Sequence, residues 1–399
     1  MMKLTKKIGL PVVAAGFFIT GTIASAQDQI SGREDHPQVS PVLETHFDTN
    51  LIIPVVIEGK TYNFLVDTGS SLTVVDKTLV SQLTRPLRPD ELPRIYNNAL
   101  SAIPAVSGEL KPQHYNLVKP VPFFIGNEEV RDNDVWISTD VASLSQFFGV
   151  EISGIIGIET IRKFNWQVDN QKKILTLTQD APSAREWQYC TGYDDSFGRS
   201  PQLWFTFGND DVAFRVDTGA IQSYAGKEFI EFANKQSKSL VLDKSDSRHV
   251  DIAGNYTSSL YILKNLKFNN MPLGEIKLTE SANPLYAVGM DFFSRFERYA
   301  FIPSKMMFCY DAASIERHGL ASQRSISIRY ANKHIELFNN TEKNLKNTLL
   351  RNGDILLTVN GTAYAAPQID EVRSLLELSP KGKLTLTILR GTEQHEVRL

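Results

Sequence analysis

Several things are scarce in this chain, and each scarcity removes a class of protein. Two cysteines in 399 residues exclude a disulfide-stapled scaffold. Neither charge dominates: 42 Lys and Arg stand against 45 Asp and Glu, a formal net charge of −3. That balance gives no long-range pull on nucleic acid, so none is expected as a partner. There is no zinc-ligand spacing, no H-E-x-x-H and no G-x-G-x-x-G. The seven histidines (His36, His46, His114, His249, His318, His334, His395) are scattered, none beside a Ser or Cys nucleophile motif. Beyond residue 26 no apolar run approaches the roughly 20 residues a membrane helix needs. What remains is a folded, multidomain chain, 42% hydrophobic and 10% aromatic, whose expected partners are proteins or peptides.

Residues 1–26 read as an export address. Lys3, Lys6 and Lys7 precede an apolar run from Ile8 to Ile23, and Ala24-Ser25-Ala26 supplies small residues for cleavage. The rival, an uncleaved anchor, is disfavoured because Gly9, Pro11, Gly16 and Gly21 interrupt a run already short of a span. The expectation is cleavage before Gln27, no stable membrane span afterwards, and a periplasmic or secreted product. For Cys190 and Cys309 two states are then open, one disulfide or two buried thiols.

The chain carries one unit twice. Phe64-Leu65-Val66-Asp67-Thr68-Gly69-Ser70 recurs as Phe214-Arg215-Val216-Asp217-Thr218-Gly219-Ala220. Farther on, the segment from Gly157 to Leu177 aligns without a gap on that from Gly289 to Cys309, setting Phe164 on Phe296 and Lys173 on Lys305. Ile155-Ile156 precedes the first glycine and Ala287-Val288 the second. A random chain of this length carries one Asp-Thr-Gly with a probability on the order of 1 in 20. Two copies are more telling, each closing a strand-like run and each followed by an apolar-apolar-Gly step. The first of these runs holds its own turn at Glu58-Gly59-Lys60.

These paired motifs resemble the aspartic proteases, in particular the retropepsin-like branch, over about residues 45–315. The resemblance implies a mainly β fold with two retropepsin-like lobes in one chain. It also implies an endopeptidase in which Asp67 and Asp217 form the catalytic dyad, with water the only cosubstrate and no metal or organic cofactor. Two neighbouring carboxyls cannot both ionise cheaply, so they share one proton; aspartic proteases are the standing illustration of that rule. The resemblance further assigns Thr68 and Thr218 to hydrogen bonds across the lobe interface, and Gly69 and Gly219 to close backbone approach. Ser70 and Ala220 complete the two loops. On this reading the Ser70 hydroxyl donates toward Asp67, leaving the shared proton on Asp217 and Asp67 as the base. Gly108 and Tyr115 share the spacing of Gly254 and Tyr261, which suggests two flaps over the cleft or two ordinary surface hairpins. A Cys190–Cys309 bond would tie together the ends of the second lobe.

The last eighty residues form another module. A polar stretch leads into a strand SIRYANKHIELF, then Gly353-Asp354-Ile355-Leu356 and the turn signal Asn360-Gly361. Ile369, Val372, Leu375 and Leu376 then make one helix face that stops at Ser379-Pro380. This resembles a small α+β PDZ-like domain, which implies either a peptide ligand or a structural docking role. The expected organisation is a signal peptide (1–26), a polar segment (27–44), lobe one (45–180), lobe two (181–315), a linker (316–325) and a separable PDZ-like domain (326–399). The rival function is a catalytically inactive peptide-binding or scaffold protein that keeps the same folds.

Overall fold

The computed structural model describes residues 40–94, 96, 103–132, 134–195, 199–236 and 239–399; the expected signal peptide and most of the polar segment after it lie outside them. The described chain is mainly β, and none of its helices is long and apolar enough to cross a membrane.

The first half starts from alternation. In Ile52–Ile57 every second side chain, Ile53, Val55 and Ile57, is buried, as a strand with one core face requires. Glu58 and Gly59 both take positive φ (49° and 77°), which makes the tight turn into Lys60–Val66. Across the sheet the order is Tyr115–Val118, Trp136–Thr139, Val74–Asp76, Gly154–Ile156, Lys60–Val66, Ile52–Ile57, Phe123–Ile125 and Glu128–Val130.

The second half repeats that order strand for strand. It runs Gly254–Lys264, Glu275–Ser281, Tyr224–Gly226, Tyr286–Val288, Asp210–Val216, Gln202–Phe207, Leu266–Phe268 and Met271–Pro272, with Leu240–Asp251 added outside the first of these. In both sheets the apolar-apolar-Gly step enters parallel to the strand that ends in aspartate: Leu65 lies opposite Ile155, and Arg215 opposite Ala287.

A third, six-stranded sheet draws three strands from each half. Leu43–His46, Ile174–Thr178 and Asn165–Asp169 meet Arg298–Ile302, Met307–Asp311 and Tyr189–Gly192, joined at the middle by Trp166 opposite Phe301. Its first strand begins at Leu43, ahead of the boundary expected at residue 45.

The gapless alignment of Gly157–Leu177 on Gly289–Cys309 needs one correction. The helices Ile158–Ile161 and Met290–Phe293 obey it, but the hairpins that follow close at Asp169/Ile174 and Ile302/Met307. The second half therefore holds one extra residue before its hairpin. Lys173 corresponds to Met306, both with positive φ (57° and 49°), and Cys309 corresponds to Thr176 rather than Leu177. A slip of one residue would turn every strand side chain to the wrong face. Cys309 lies directly across from Cys190 in the neighbouring strand, and the two are disulfide-bonded.

The C-terminal residues form a five-stranded antiparallel sheet with its own apolar core around Ile369, Val372 and Leu376 of the helix Ile369–Leu378. The single strand expected at SIRYANKHIELF is two, Ile328–Ala331 and His334–Leu337, because Asn332 and Lys333 both take positive φ (51° and 67°) and turn the chain back.

The expected linker does not hang free. Glu275 N–H donates to Arg317 O (2.7 Å) and Leu320 N–H to the Glu275 carboxylate (3.1 Å). Ser322 donates to Asp243 (2.6 Å) and also bonds Glu377. Nor is the C-terminal unit separate. The ammonium of Lys277, 6% exposed, reaches Glu377 on the C-terminal helix at 2.7 Å. On the other side Asn50 donates to Asp370 (2.8 Å), while the Arg373 guanidinium covers the Phe147 ring at 3.9 Å and donates to Phe147 O (2.6 Å). Removing the residues after Ser322 would leave the buried Lys277 ammonium without its Glu377 partner, a cost that the expectation of a freely removable module did not include.

Candidate active site

The loops at the ends of Lys60–Val66 and Asp210–Val216 face each other, and reciprocal threonine bonds hold them. Thr68 Oγ1 donates to Val216 O (2.8 Å) and accepts from Thr218 N–H (3.0 Å). Thr218 Oγ1 donates to Val66 O (2.8 Å) and accepts from Thr68 N–H (3.1 Å). Both threonines are buried, so the four bonds satisfy groups that water does not reach.

This grip sets each aspartate against the other loop's glycine. A Cβ on Gly69 would sit 2.6 Å from the Asp217 carboxyl carbon, and one on Gly219 2.4 Å from that of Asp67. Real Cβ atoms do not come so close, and only glycine fits at either position. The apolar-apolar-Gly steps close the rear in the same way. Asp67 N–H donates to Ile156 O and Asp217 N–H to Val288 O, both at 3.0 Å. A Cβ on Gly157 would meet Leu72 at 2.4 Å, and one on Gly289 would meet Ala220 at 2.6 Å.

Each carboxylate also accepts two amide hydrogens of its own loop. Asp67 Oδ1 receives Gly69 N–H (2.7 Å) and Ser70 N–H (3.1 Å); Asp217 Oδ1 receives Gly219 N–H (3.1 Å) and Ala220 N–H (3.0 Å). Burial raises both carboxyls above the usual carboxylate range, and for Asp67 the facing charge of Asp217 acts in the same direction.

Two features depart from the expectation. The Ser70 hydroxyl donates to Leu72 O at 2.7 Å, so serine reaches Asp67 through its backbone amide alone, as Ala220 reaches Asp217. The hydroxyl that does reach a carboxyl belongs to Tyr224, whose OH lies 2.8 Å from Asp217 Oδ2. At the corresponding position the first half has Val74. The signal was in the sequence, as a polar ring in a strand position otherwise apolar, but only the fold shows that this position faces the carboxyl.

Above the loops lies a cleft of about 930 Å³ lined by both aspartates. Two hairpins overhang it. The short one pairs Ile103–Ala105 with Gly108–Leu110, the long one Leu240–Asp251 with Gly254–Lys264, and Gly108 and Gly254 follow their turns with φ of 138° and 113°. Their tips touch, Ser107 N–H donating to Asp251 at 2.8 Å, and the short tip is also held by Ala282 N–H on Val106 O (2.9 Å).

The two tyrosines singled out with these glycines are not equivalent. Ile137 lies against Val74 and Leu117, and its counterpart Thr279 against Tyr224 and Leu260, so Leu117 matches Leu260 and Tyr115 matches Ser258. Pro112 breaks the return strand of the short hairpin, which hides this offset in the spacing. Tyr261 points to Glu280 (3.4 Å), and the ring that the long hairpin brings to the cleft is Tyr256, stacked on His249.

The C-terminal unit completes the cleft wall through Arg329, Glu371 and Arg373. Among the described residues no cluster of His, Cys, Asp or Glu could hold a metal ion.

A model of the aspartyl protease family matches residues 53–160, a span that contains Asp67 and the step behind it and leaves the second loop outside. No curated protein matches the chain.

Proposed function

We propose that the chain is an exported aspartic endopeptidase, with two retropepsin-like lobes, Asp67 and Asp217 as its dyad, and a PDZ-like C-terminal domain that walls one end of the substrate cleft. The observation that carries this reading is the crossed seating of the carboxyls, each against the other loop's glycine and joined by the threonine grip. The aspartyl protease match over residues 53–160 supports the same reaction class.

In that reaction one ionised carboxylate removes a proton from water as the water oxygen attacks a peptide carbonyl. The other carboxyl, protonated, donates to the carbonyl oxygen. The tetrahedral product collapses when the leaving nitrogen is protonated, and the dyad returns to its single shared proton. The hairpins serve as flaps that hold an extended peptide over the dyad and exclude bulk water, which strengthens each polar contact inside.

The test is to incubate the purified chain with a diverse peptide library across pH, reading cleavage by mass spectrometry, beside Asp67→Asn and Asp217→Asn. Each variant should lose nearly all turnover while remaining folded, and the double variant should be little worse, because the two carboxyls act as a unit. Substantial activity in either single variant would refute the two-aspartate mechanism.

A further inference from the structure

The two loops match in every bond to their carboxyls except one. Asp67 accepts two amide hydrogens from its loop; Asp217 accepts two and also faces the Tyr224 hydroxyl. Tyr224 is buried, and among the described hydrogen bonds Asp217 Oδ2 is the acceptor within reach of its hydrogen. A buried hydroxyl hydrogen needs an acceptor, so the phenol donates and the carboxyl receives. Packing fixes the ring in that role. Tyr224 stands opposite the small Ala287, where the first half pairs Val74 with the bulky Ile155. The second half thus makes room for the ring, and the first half fills the same volume with aliphatic side chains.

We propose that Tyr224 is a positioning residue that makes the dyad unequal: by donating to Asp217 it keeps that carboxyl as the ionised partner and leaves the shared proton on Asp67. This rests on the dyad reading above and reverses the roles expected from Ser70. Asp217 takes one proton from water as the new carbon–oxygen bond forms. The carbonyl π pair moves onto oxygen, and that oxygen takes the proton of Asp67. The tetrahedral diol is left with Asp217 protonated and Asp67 ionised, so charge and protons balance. The phenol itself is pushed well above its usual range by burial and stays a neutral donor throughout.

The titratable and charged groups facing this pair are Asp67 from the opposite loop, Arg215 from the strand before Asp217, and Tyr256 from the long hairpin, which Asp251 in turn faces. His249, stacked on Tyr256 and held down to about 4 by burial, titrates in wild type and variant alike and cancels in their comparison.

The test is the pH profile of kcat/KM for Tyr224→Phe, which reports the free enzyme's dyad. If the phenol stabilises the singly protonated state, its loss should raise the acid limb by about one unit, the size one hydrogen bond to a charged group supports, and leave the basic limb in place. A shift of the basic limb alone would put the proton on Asp217 and overturn the proposal. Unmoved limbs would make Tyr224 a packing residue and overturn it equally. Should Tyr224→Phe not fold, a fluorinated tyrosine at 224 keeps shape and hydroxyl but donates more strongly. It should lower the acid limb, and an unmoved limb refutes the proposal. Asp67→Asn and Asp217→Asn in parallel separate the two failures: if they are inactive while the limbs stay put, only the role of Tyr224 falls, and if they are active the dyad reading falls first.

Discussion

The two halves share strand order, threonine grip and glycine seating, yet their interiors are built from different materials. Where the first half places Val55 and Ile57 the second places Phe205 and Phe207, and around them Phe268, Phe292, Phe296 and Phe308 pack ring against ring at 5–6 Å. The long hairpin belongs to the second half, as does the hydroxyl on a carboxyl. The lesson is that symmetry is kept where both halves must meet at one point and dropped elsewhere. Core composition can drift as long as volume and face are preserved, whereas a residue against the opposite carboxyl has no such freedom.

The sharpest way to break this comparison is at the glycines. Gly69→Ala and Gly219→Ala should both abolish turnover, because either Cβ would displace the opposite carboxyl; peptide cleavage by one of them would show that its loop is not held as the other is. Next are Thr68→Val and Thr218→Val. Each strands a buried carbonyl and a buried amide, at about 1–3 kcal/mol per group, so both should lower the denaturant midpoint by similar amounts, and unequal losses would argue against a reciprocal grip.

A third variant probes only the second half. Glu377→Gln weakens the partner of buried Lys277. Burial raises the Glu377 carboxyl but Lys277, Ser322 and Lys244 more than offset it, leaving it below its usual value. Its folded value lies below the unfolded one, so its stabilisation is present above about pH 4.3 and is lost as pH falls through the folded value. Thermal melts from pH 6 to pH 3 should show a smaller acid loss in Glu377→Gln than in wild type; parallel curves would refute this. The smallest expected effect is that of Ser70→Ala. Its hydroxyl caps Leu72 O and not the carboxyl, so the limbs of the pH profile should not move. A shift matching that of Tyr224→Phe would restore the symmetric view.

The sequence made the doubled loops, the glycine steps and the helix Ile369–Leu378 legible because each rests on local spacing or identity. Asp67, Thr68 and Gly69 are contiguous, and their counterparts repeat them letter for letter. Tyr224 was not legible, because its meaning depends on which face of a three-residue strand looks at Asp217, and β-branched and aromatic residues both suit a strand. The tyrosines at 115 and 261 misled because equal spacing in sequence was not equal register: Pro112 interrupts one return strand and not the other. The linker misled because a polar stretch can be solvated or can lie along a sheet edge, and composition alone does not choose between them.

The shared six-stranded sheet also orders events in time. Asn165–Asp169 finds its central neighbour only when Arg298–Ile302 has been made, and Tyr189–Gly192 waits for Met307–Asp311. During vectorial synthesis the first half must therefore spend the interval with an unpaired strand edge, the kind of surface that invites wrong partners. Such long-range closure is slow. The base of the molecule therefore cannot lock until Met307–Asp311, the last strand of this sheet in chain order, has been made.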